Sequence, residues 1–459
     1  MSGDAGDTDE TADTDRTESD RPLRTDLRPI VEAVRATDAD AFVAVGDRSD
    51  DGLRYLTRFG GPDRPYALVV VPNGDAAAER AGRAVLCAPA LFREQAEREF
   101  VAAASDPLAD QTGNDPNSDT DTDFHDGVVR EVRSEAVGDH AGERAAAVVD
   151  ELTGRRTDDE TDAGGPTVLT PASIPHDAAV YLERAGIELT STDAVATARA
   201  RKTPAELDRM RRVQRAAVAG MARAETVLAE SEVAEGDVVD GSGDARRPPL
   251  RWEGDSLTTE RLRREVNRAL AARGVRDAGN TVIGAGPSAA DLHYVGDDPI
   301  RPGEAVLLDV SPRGPDGYYG DVTRTFVVDG DGGWERRAYI AVEAAREAAL
   351  EEVEPGVPAK TVHGEAAAEL AAYGFDPNAG EGETGFTHGT GHGVGVSLHE
   401  SPSLSGAGEL RPGHVVTVEP GVYDPAVGGV RLEDTVVVTE EGYEILAEYP
   451  FGIVPQARE

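Results

Sequence analysis

The first two hundred residues alternate short apolar runs with longer stretches of helical periodicity. Runs such as "AFVAV", "YALVVV" and "AVLCA" have the length of strands, whereas "LFREQAEREFVAAA" and "PHDAAVYLERAG" repeat their apolar positions at a helical spacing. We predict a modest α/β domain over residues 23–200. Residues 1–22 are acidic and carry almost nothing to bury, so we expect a disordered tail there.

The pattern from residue 201 to 459 predicts a second domain. It opens with a long helix, whose start has the capping-box pair Thr203 and Glu206. Further helices are predicted near 258–273, 334–354 and 358–373. Strands are predicted in "NTVIGA", "AVLLDV", "YYGDVTRTFVV", "VVTVEPGVY" and "VRLEDTVVV". Acidic stretches predicted to be surface loops or insertions begin at Ala104, Thr153 and Val233.

Two of these apolar strands are joined by a Pro/Gly/Asp turn and form the first of two predicted hairpins, "AVLLDVSPRGPDGYYGDVTRTFVV". With the turn centred on Pro315, antiparallel pairing places Asp309 opposite Asp321. Opposed residues have Cβ atoms about 4.5–5.5 Å apart, and like charges at that separation are destabilising. We therefore expect a positive group between the two carboxylates.

The second predicted hairpin, "VVTVEPGVYDPAVGGVRLEDTVVV", repeats this arrangement. Its turn is centred near Ala426, so Glu419 faces Glu433. A buried carboxylate is retained only when it is paired or bound to a metal, because an uncompensated charge is costly to bury. Two interpretations are open at this point: a metal site, or neutralisation by arginines such as Arg324 and Arg431.

Three histidines lie in the glycine-spaced stretch "FTHGTGHGVGVSLHE", residues 386–400. The alternating glycines and the missing glutamate argue against a zinc-protease helix of the H-E-x-x-H type. An extended strand fits better and puts His388, Thr390 and His392 on one face. Alone, these histidines could belong to an ordinary polar loop. With the four hairpin carboxylates, one of these histidines completes a ligand set suited to manganese, cobalt, iron or zinc, and to two ions if carboxylates bridge.

Composition restricts the partners of the protein. The chain has 87 acidic and 46 basic residues and a net charge of -41, which argues against a nucleic acid or a membrane as partner. Only Lys202 and Lys360 are lysines, which favours a salt-adapted, halophilic protein over an ordinary acidic one. Cys87 is the only cysteine, so a thiolate metal cage is excluded. We expect a small substrate and a cytoplasmic location, because neither a signal peptide nor a membrane-spanning stretch is recognisable.

The ordered motifs "LLDV…GDVTRTF", "HGTGHGVG", "LHE", "TVEPGVY" and "VRLED" closely resemble the M24 creatinase/aminopeptidase superfamily, the "pita-bread" metallopeptidases that include Xaa-Pro aminopeptidase and prolidase. The resemblance runs from about Arg201 to the end, and "YLTRFGG" near residue 55 more weakly resembles the creatinase/prolidase N-terminal domain. It implies an α/β (α+β) fold, in which a catalytic pita-bread domain follows a smaller creatinase-like α/β domain. With the scarcity of lysine, it also suggests a haloarchaeal source.

The resemblance implies a dinuclear centre of two divalent ions with a hydroxide between them. Its ligands would be Asp309, Asp321, His392, Glu419 and Glu433. Glu419 would also shuttle protons. The remaining site residues would be His293, His388 and His399, which hold the substrate, and Arg431, which orients carboxylates. The interval from Asp309 to Asp321 is one residue longer than is common in the family, which puts the centre of the turn in doubt.

The activity implied by the resemblance is exopeptidase cleavage of the Xaa-Pro bond, at peptide N-termini or in dipeptides. An amidohydrolase acting on a small non-peptide metabolite is an alternative within the superfamily, although its creatine-hydrolysing members lack the metal ligands. A catalytically silent peptide-binding module is a third possibility, since such members typically lose the ligand set. A homodimer is a further family expectation.

Overall fold

The computed structural model describes residues 23–74, 80–102, 126–135, 140–154, 165–234, 236, 238–239, 245–380 and 382–458. The chain divides into two compact units, Met1–Arg199 and Ala200–Glu459. The predicted acidic tail, and most of the acidic stretches that begin at Ala104 and Thr153, lie outside the described residues. Within the described part of the chain, every helix is too short or too polar to cross a membrane.

A six-stranded mixed sheet forms the centre of the first unit. Its strands are β1 (Ala41–Gly46), β2 (Tyr66–Pro72), β3 (Gly82–Pro89), β4 (Val128–Glu135), β5 (Thr167–Pro171) and β6 (Glu188–Thr192). They lie in the order β4-β3-β2-β1-β5-β6. The β1–β2 and β2–β3 pairs are antiparallel and the other pairs are parallel. The apolar runs predicted to be strands form β1, β2 and β3, which confirms that prediction, and Cys87 is buried in β3.

The helices of this unit are α1 (Arg28–Ala36), α2 (Asp51–Thr57), α3 (Arg93–Ala96), α4 (Ala141–Thr153), α5 (His176–Arg184) and α6 (Ala194–Ala200), and a π-helical turn (Glu97–Val101) continues α3. The start of α2 is capped by Asp50, whose carboxylate accepts a hydrogen bond from the backbone of Leu53. Valines of β1–β3 pack against Ala145 and Val149 of α4, which forms the core of the unit.

The first half of the second unit packs two helices on a three-stranded antiparallel sheet. The helices are α7 (Pro204–Ala229) and α8 (Thr259–Ala272), and the strands are β11 (Thr281–Ala285), β12 (Ala305–Val310) and β13 (Val322–Val327). Four two-residue strands precede α8: β7 (Val238–Val239), β8 (Ala245–Arg246), β9 (Arg251–Trp252) and β10 (Asp255–Ser256). The predicted capping box at Thr203 and Glu206 is present. Met221, Leu270 and Phe326 belong to the core of this half.

The second half has a similar plan. Its helices are α9 (Trp334–Glu351) and α10 (Ala359–Ala372), and its sheet contains β14 (Val415–Val418), β17 (Asp434–Val438) and β18 (Tyr443–Ile445). A hairpin of β15 (Gly421–Asp424) and β16 (Gly428–Arg431) is inserted between β14 and β17. Val342, Leu370 and Val436 are buried in a separate core cluster. All four predicted helices of the unit are confirmed within a few residues.

The register of the two hairpins decides which residues face each other. In the second hairpin Val418 pairs with Asp434 and Gly421 pairs with Arg431, so the predicted register is confirmed. In the first hairpin Asp309 pairs with Thr323, not with Asp321, and the predicted register is wrong. The turn is centred one residue later, because Gly317 adopts the positive φ of 95° and the amide of Gly314 donates to the carbonyl of Tyr318.

Candidate metal centre

Three carboxylates from strand ends converge in the second unit. Asp309 lies near the end of β12, Asp321 immediately before β13, and Glu433 immediately before β17. One oxygen of each lies within 4.8 Å of the others. We call these three residues the carboxylate cluster. The backbone brings them together, because the amide of Glu433 donates to the carbonyl of Thr323 at 3.1 Å and the hydroxyl of Thr435 donates to the carbonyl of Asp321 at 2.8 Å.

His392 and Glu419 border the cluster. The Nε2 atom of His392 is 3.4 Å from Oε1 of Glu419 and 3.9 Å from Oδ2 of Asp321. The Nδ1 atom of His392 lies 3.0 Å from the carbonyl of Gly393, so it carries the proton and leaves the Nε2 lone pair for a ligand. The structure therefore brings together all five residues that the sequence analysis assigned to metal ions.

The glycine-spaced stretch runs extended alongside β14, although it is not a regular strand. The amides of Thr417 and Glu419 donate to the carbonyls of His392 and Thr390, both at 2.8 Å. The glycines permit this close approach: a Cβ atom on Gly391 would lie 2.0 Å from the carbonyl oxygen of Thr417. The pairing holds the imidazole of His392 beside the end of β14, where Glu419 begins the connection to the inserted hairpin.

Burial dominates the electrostatics of the site. It raises the pKa of Asp321 and of Glu433 well above the usual range, and the neighbouring carboxylates raise both values further. Burial also raises the pKa of Glu419 to about 7, against the opposing effect of the Arg431 charge. The pKa of His392 is lowered by burial, so its imidazole is neutral near pH 7. These carboxylates can all ionise together only if a positive group joins them.

Arg431 supplies part of the positive charge that the carboxylates require. Arg431 donates from Nη2 to Oδ2 of Asp309 at 2.6 Å, and its Nε is 3.9 Å from Glu419. Arg324 alternates to the other side of β13 and pairs with Asp434 instead. Among the described residues, no arginine lies within ion-pair distance of the carboxylates of Asp321 or Glu433. Neutralisation by arginine therefore accounts for Asp309 but not for the rest of the cluster.

A chain of hydrogen bonds connects Arg431 to His388. The guanidinium donates to the hydroxyl of Tyr423 at 2.9 Å, and that hydroxyl lies 2.8 Å from Nε2 of His388. Because Nδ1 of His388 faces the carbonyl of Gly389 at 2.8 Å, it is the protonated nitrogen, and Tyr423 donates to Nε2. Burial lowers the pKa of His388 to about 3. In this structure both ring nitrogens of His388 thus have partners within the protein.

The other two predicted substrate histidines lie further out. His399 is exposed as a residue, and its ring meets the ring of His392 edge-on at a centroid distance of 4.2 Å. Desolvation of its partly covered ring lowers the pKa of His399, and the neighbouring imidazoles of His392 and His293 lower it further. His293 is exposed and follows the short 3₁₀ helix Gly286–Ala290. These two imidazoles are the accessible members of the predicted set.

Several polar residues that the sequence analysis missed support the ligands. The hydroxyl of Ser311 lies 3.0 Å from Asp309 and 2.8 Å from Asp321, and Thr323 donates to Glu433 at 2.8 Å. Thr417 lies two residues before Glu419 and is 3.3 Å from it. A signal for these hydroxyls was present, because period-two alternation places Thr323 on the face of Asp321, and Thr417 on that of Glu419.

Gln214 of α7 is a further support, for which the sequence carries no local signal. Its side-chain amide donates to the carbonyl of Asp321 at 2.6 Å and accepts from the Asp321 amide at 2.8 Å. Gly320 allows this contact, since a Cβ atom there would lie 2.9 Å from the Gln214 oxygen. The position of a predicted ligand therefore depends on a helix that begins more than a hundred residues earlier.

The donor set fits divalent metal ions. Four carboxylates and one neutral imidazole nitrogen are the ligand types that manganese, cobalt, iron and zinc accept. The carboxylates of Asp321 and Glu433 are buried close together without a cation partner among the described residues, which is a costly arrangement unless a positive ion is bound. A divalent ion would supply the charge that compensates these carboxylates.

The two-unit α/β architecture, with a carboxylate and histidine site on the strands of the second unit, defines a pita-bread metallopeptidase fold. Residues 208–440, just over half of the chain, match the model of metallopeptidase family M24. The chain therefore belongs to metallopeptidase family M24.

Curated relatives include dipeptidases. The chain is 38% identical over 176 residues to an "Xaa-Pro dipeptidase" of Pyrococcus horikoshii, which covers 38% of this chain and 48% of the relative. It is 32% identical over 193 residues to a "Probable dipeptidase PepE" of Mycobacterium tuberculosis, which covers 41% of this chain and 50% of the relative. These matches span about half the length of the curated relatives.

Solved structures match over the whole fold. A prolidase from Pyrococcus horikoshii aligns with a TM-score of 0.68 at 22% identity and covers 94% of this chain and 99% of its own. An Xaa-Pro dipeptidase from Bacillus anthracis aligns with a TM-score of 0.70 at 19% identity, covering 94% of this chain and 98% of its own. The predicted α/β fold, with a smaller sheet-and-helix unit before a pita-bread unit, is confirmed.

Proposed function

We propose that this protein is a metal-dependent exopeptidase that hydrolyses the Xaa-Pro bond at peptide N-termini or in dipeptides. The observation that carries the proposal is the convergence of five potential ligands, two of which are buried carboxylates that no arginine of the described residues pairs with. Membership of a metallopeptidase family and the names of the dipeptidase relatives support the same reaction class. The preference for a bond that precedes proline is part of what we propose.

We assign Asp309, Asp321, His392, Glu419 and Glu433 to two divalent ions, which are manganese, cobalt, zinc or iron. When bound, such ions lower the pKa of a coordinated water and polarise the scissile carbonyl. Hydroxyl and guanidinium groups keep the ligands in position for this. Arg431 donates to Oδ2 of Asp309, and Thr323 donates to Oε2 of Glu433. Each of these donors holds one carboxylate oxygen and leaves the second oxygen of the same carboxylate to other partners.

We assign proton transfer to the carboxylate of Glu419. It lies beside His392 at the carboxylate cluster, where it would accept the proton of the attacking water and deliver it to the leaving amine nitrogen. The exposed imidazoles of His293 and His399 are proposed to contact the substrate. His388 is proposed to act with them, although in the structure its nitrogens are engaged with Tyr423 and Gly389.

The test of the proposed function is metal content combined with hydrolysis of Ala-Pro, Ala-Pro-Ala and Ala-Ala, measured in molar salt. We expect metal retained after dialysis and cleavage of at least one proline substrate, much faster than cleavage of Ala-Ala. Preference for Ala-Pro would indicate a dipeptidase, and preference for Ala-Pro-Ala an aminopeptidase. Cleavage of small amidated metabolites without peptide cleavage would replace the proposal by an amidohydrolase, and absent metal with no hydrolysis would indicate a silent binding module.

Other properties belong to the same proposal. We propose a domain boundary near residue 200, a homodimer, a cytoplasmic location and adaptation to high salt, which the net charge of -41 supports. Light scattering after size exclusion measures the oligomeric state. Unfolding followed across potassium chloride concentrations tests salt adaptation, since screening should stabilise so acidic a chain.

A further inference from the structure

A cavity of about 240 Å³ in the second unit is separate from the predicted metal ligands. Its walls come from α7, the end of α8 and the turn at residues 314–318 that joins β12 to β13. Arg209, Arg212 and Arg273 line it, and we call it the arginine cavity. Three guanidinium groups around one cavity are unexpected in a chain whose acidic residues outnumber its basic ones almost two to one.

The positive charge of this cavity is poorly compensated. Among the described residues that line the cavity, Asp316 is the only acidic one, and its carboxylate is 3.9 Å from Nε of Arg209, beyond hydrogen-bonding distance. The side chain of Arg209 is only 11% exposed, and its Nε has no hydrogen-bond partner among the described residues. A buried donor without a partner is costly, so the guanidinium of Arg209 is a cation that the described residues compensate poorly.

The other two arginines that line the cavity are solvent-exposed. Arg212 and Arg273 are exposed, and neither has an ion-pair partner in the described part of the chain. Arg273 caps the end of α8, where a cation is favourable, and makes only a long contact of 3.4 Å to the carbonyl of Ala269. Guanidinium groups remain charged at all relevant pH values and match the paired oxygens of phosphate or carboxylate.

We propose that the arginine cavity binds a small anion with two or more negative charges, such as phosphate or a short polycarboxylate. Its volume corresponds to about eight water molecules, which suits one such ion. The apolar side chain of Val213 forms the base beside Gly314, where a Cβ atom would come within 2.5 Å of it. This site is independent of the proposed peptidase reaction, because no residue that lines it is a predicted metal ligand.

The test is calorimetric titration of the metal-loaded protein with phosphate and, separately, with citrate, at one potassium chloride concentration in which circular dichroism shows a folded protein. We expect one site for at least one of the two anions. Arg212→Gln and Arg273→Gln should each weaken binding by about tenfold or more, since a hydrogen bond to a charged group is lost. Both residues are exposed, so folding should be unaffected.

The matched control is Arg215→Gln, which removes the same charge from an exposed position one turn further along α7 and outside the cavity. Its affinity should remain within about twofold of the wild type. If neither anion binds below about 10 mM, the proposal is wrong. It is also wrong if both cavity variants bind as the wild type does, because the anion would then be held elsewhere, for example at the metal centre.

Discussion

The second unit contains two charged clusters of opposite sign, built in different ways. The carboxylate cluster comes from strand ends that backbone hydrogen bonds hold in place, and in it Asp321 and Glu433 are buried while Asp309 is partly buried. The arginine cavity comes from helix surfaces and a turn, and two of its three long side chains reach solvent. The difference teaches that position is decided by the backbone in the first cluster and by flexible side chains in the second.

The two clusters are also neighbours along the chain. The turn that forms one wall of the cavity connects the strand of Asp309 to the strand of Asp321. Unbalanced charge is nevertheless much costlier in the carboxylate cluster, because burial raises the pKa of Asp321 and Glu433 whereas arginine remains charged and partly hydrated. Substitutions should therefore have large effects at the carboxylate cluster and smaller effects at the cavity.

The largest effect is expected for Asp321→Asn. The amide keeps the shape of the side chain but loses the charge that faces the other carboxylates, so both metal binding and hydrolysis should fall. We expect a loss in kcat/KM of more than about 100-fold, larger than that of a residue that only orients a ligand. Metal analysis and Ala-Pro hydrolysis measure it. Asp331→Asn, at an exposed position, is the control, and retention of metal and activity by Asp321→Asn would refute the ligand assignment.

A smaller loss is expected for Arg431→Gln. This change removes the donor to Asp309 and the donor to Tyr423, so the ligand and the hydrogen-bond chain to His388 are both released. Metal affinity measured by competition with a chelator should fall by about 10–100-fold. Arg336→Gln, which is exposed, should leave the affinity unchanged. An unaltered affinity in Arg431→Gln would mean that the guanidinium is not needed to position Asp309.

The pH dependence of metal-free protein provides a third comparison. The pKa of Glu419 is raised to about 7 from 4.5, so the folded protein binds this proton more tightly than the unfolded chain does. The stabilisation is complete below the unfolded pKa and is lost as the pH rises through 7. The melting temperature should therefore fall between about pH 5 and 8 more steeply in wild type than in Glu419→Gln.

Differential scanning calorimetry after chelator dialysis measures these slopes. At about pH 8 the Glu419→Gln protein should melt roughly 3 °C or more above the metal-free wild type. Adding metal should reverse the order, because the ion replaces the proton as the compensating charge. Parallel slopes in the two proteins would contradict the raised pKa and the repulsion between the carboxylates that contributes to it.

The smallest effect is expected at the arginine cavity. An anion that binds only the folded state raises the melting temperature, and at ten times its dissociation constant the increase should be about 2–4 °C. Arg212→Gln and Arg273→Gln should reduce this increase, whereas Arg215→Gln should keep it. An equal increase in all four proteins would assign the anion to another location and would remove the contrast between the two clusters.

Local sequence patterns determined much of this protein. Apolar runs predicted the strands, helical periodicity and a capping box predicted α7, and glycines excluded a helix around His392. The four candidate carboxylates were also readable, because acids that interrupt apolar strands conflict with burial, whereas His392 was singled out by the family resemblance. The register of the first hairpin could not be predicted, because several glycine and proline positions could form its turn. Only the folded backbone selected one of them.

Tertiary structure alone decided how the ligands meet and what supports them. The contact between β13 and β17 brings Glu433 to Asp321, and α7 brings Gln214 to the same residue. Tertiary structure also decided that Arg431 pairs with Asp309 while Arg324 pairs with Asp434. The arginine cavity has no sequence signature either, because its residues are distant along the chain. Periodicity reports which face of an element is buried, but not which distant element covers it.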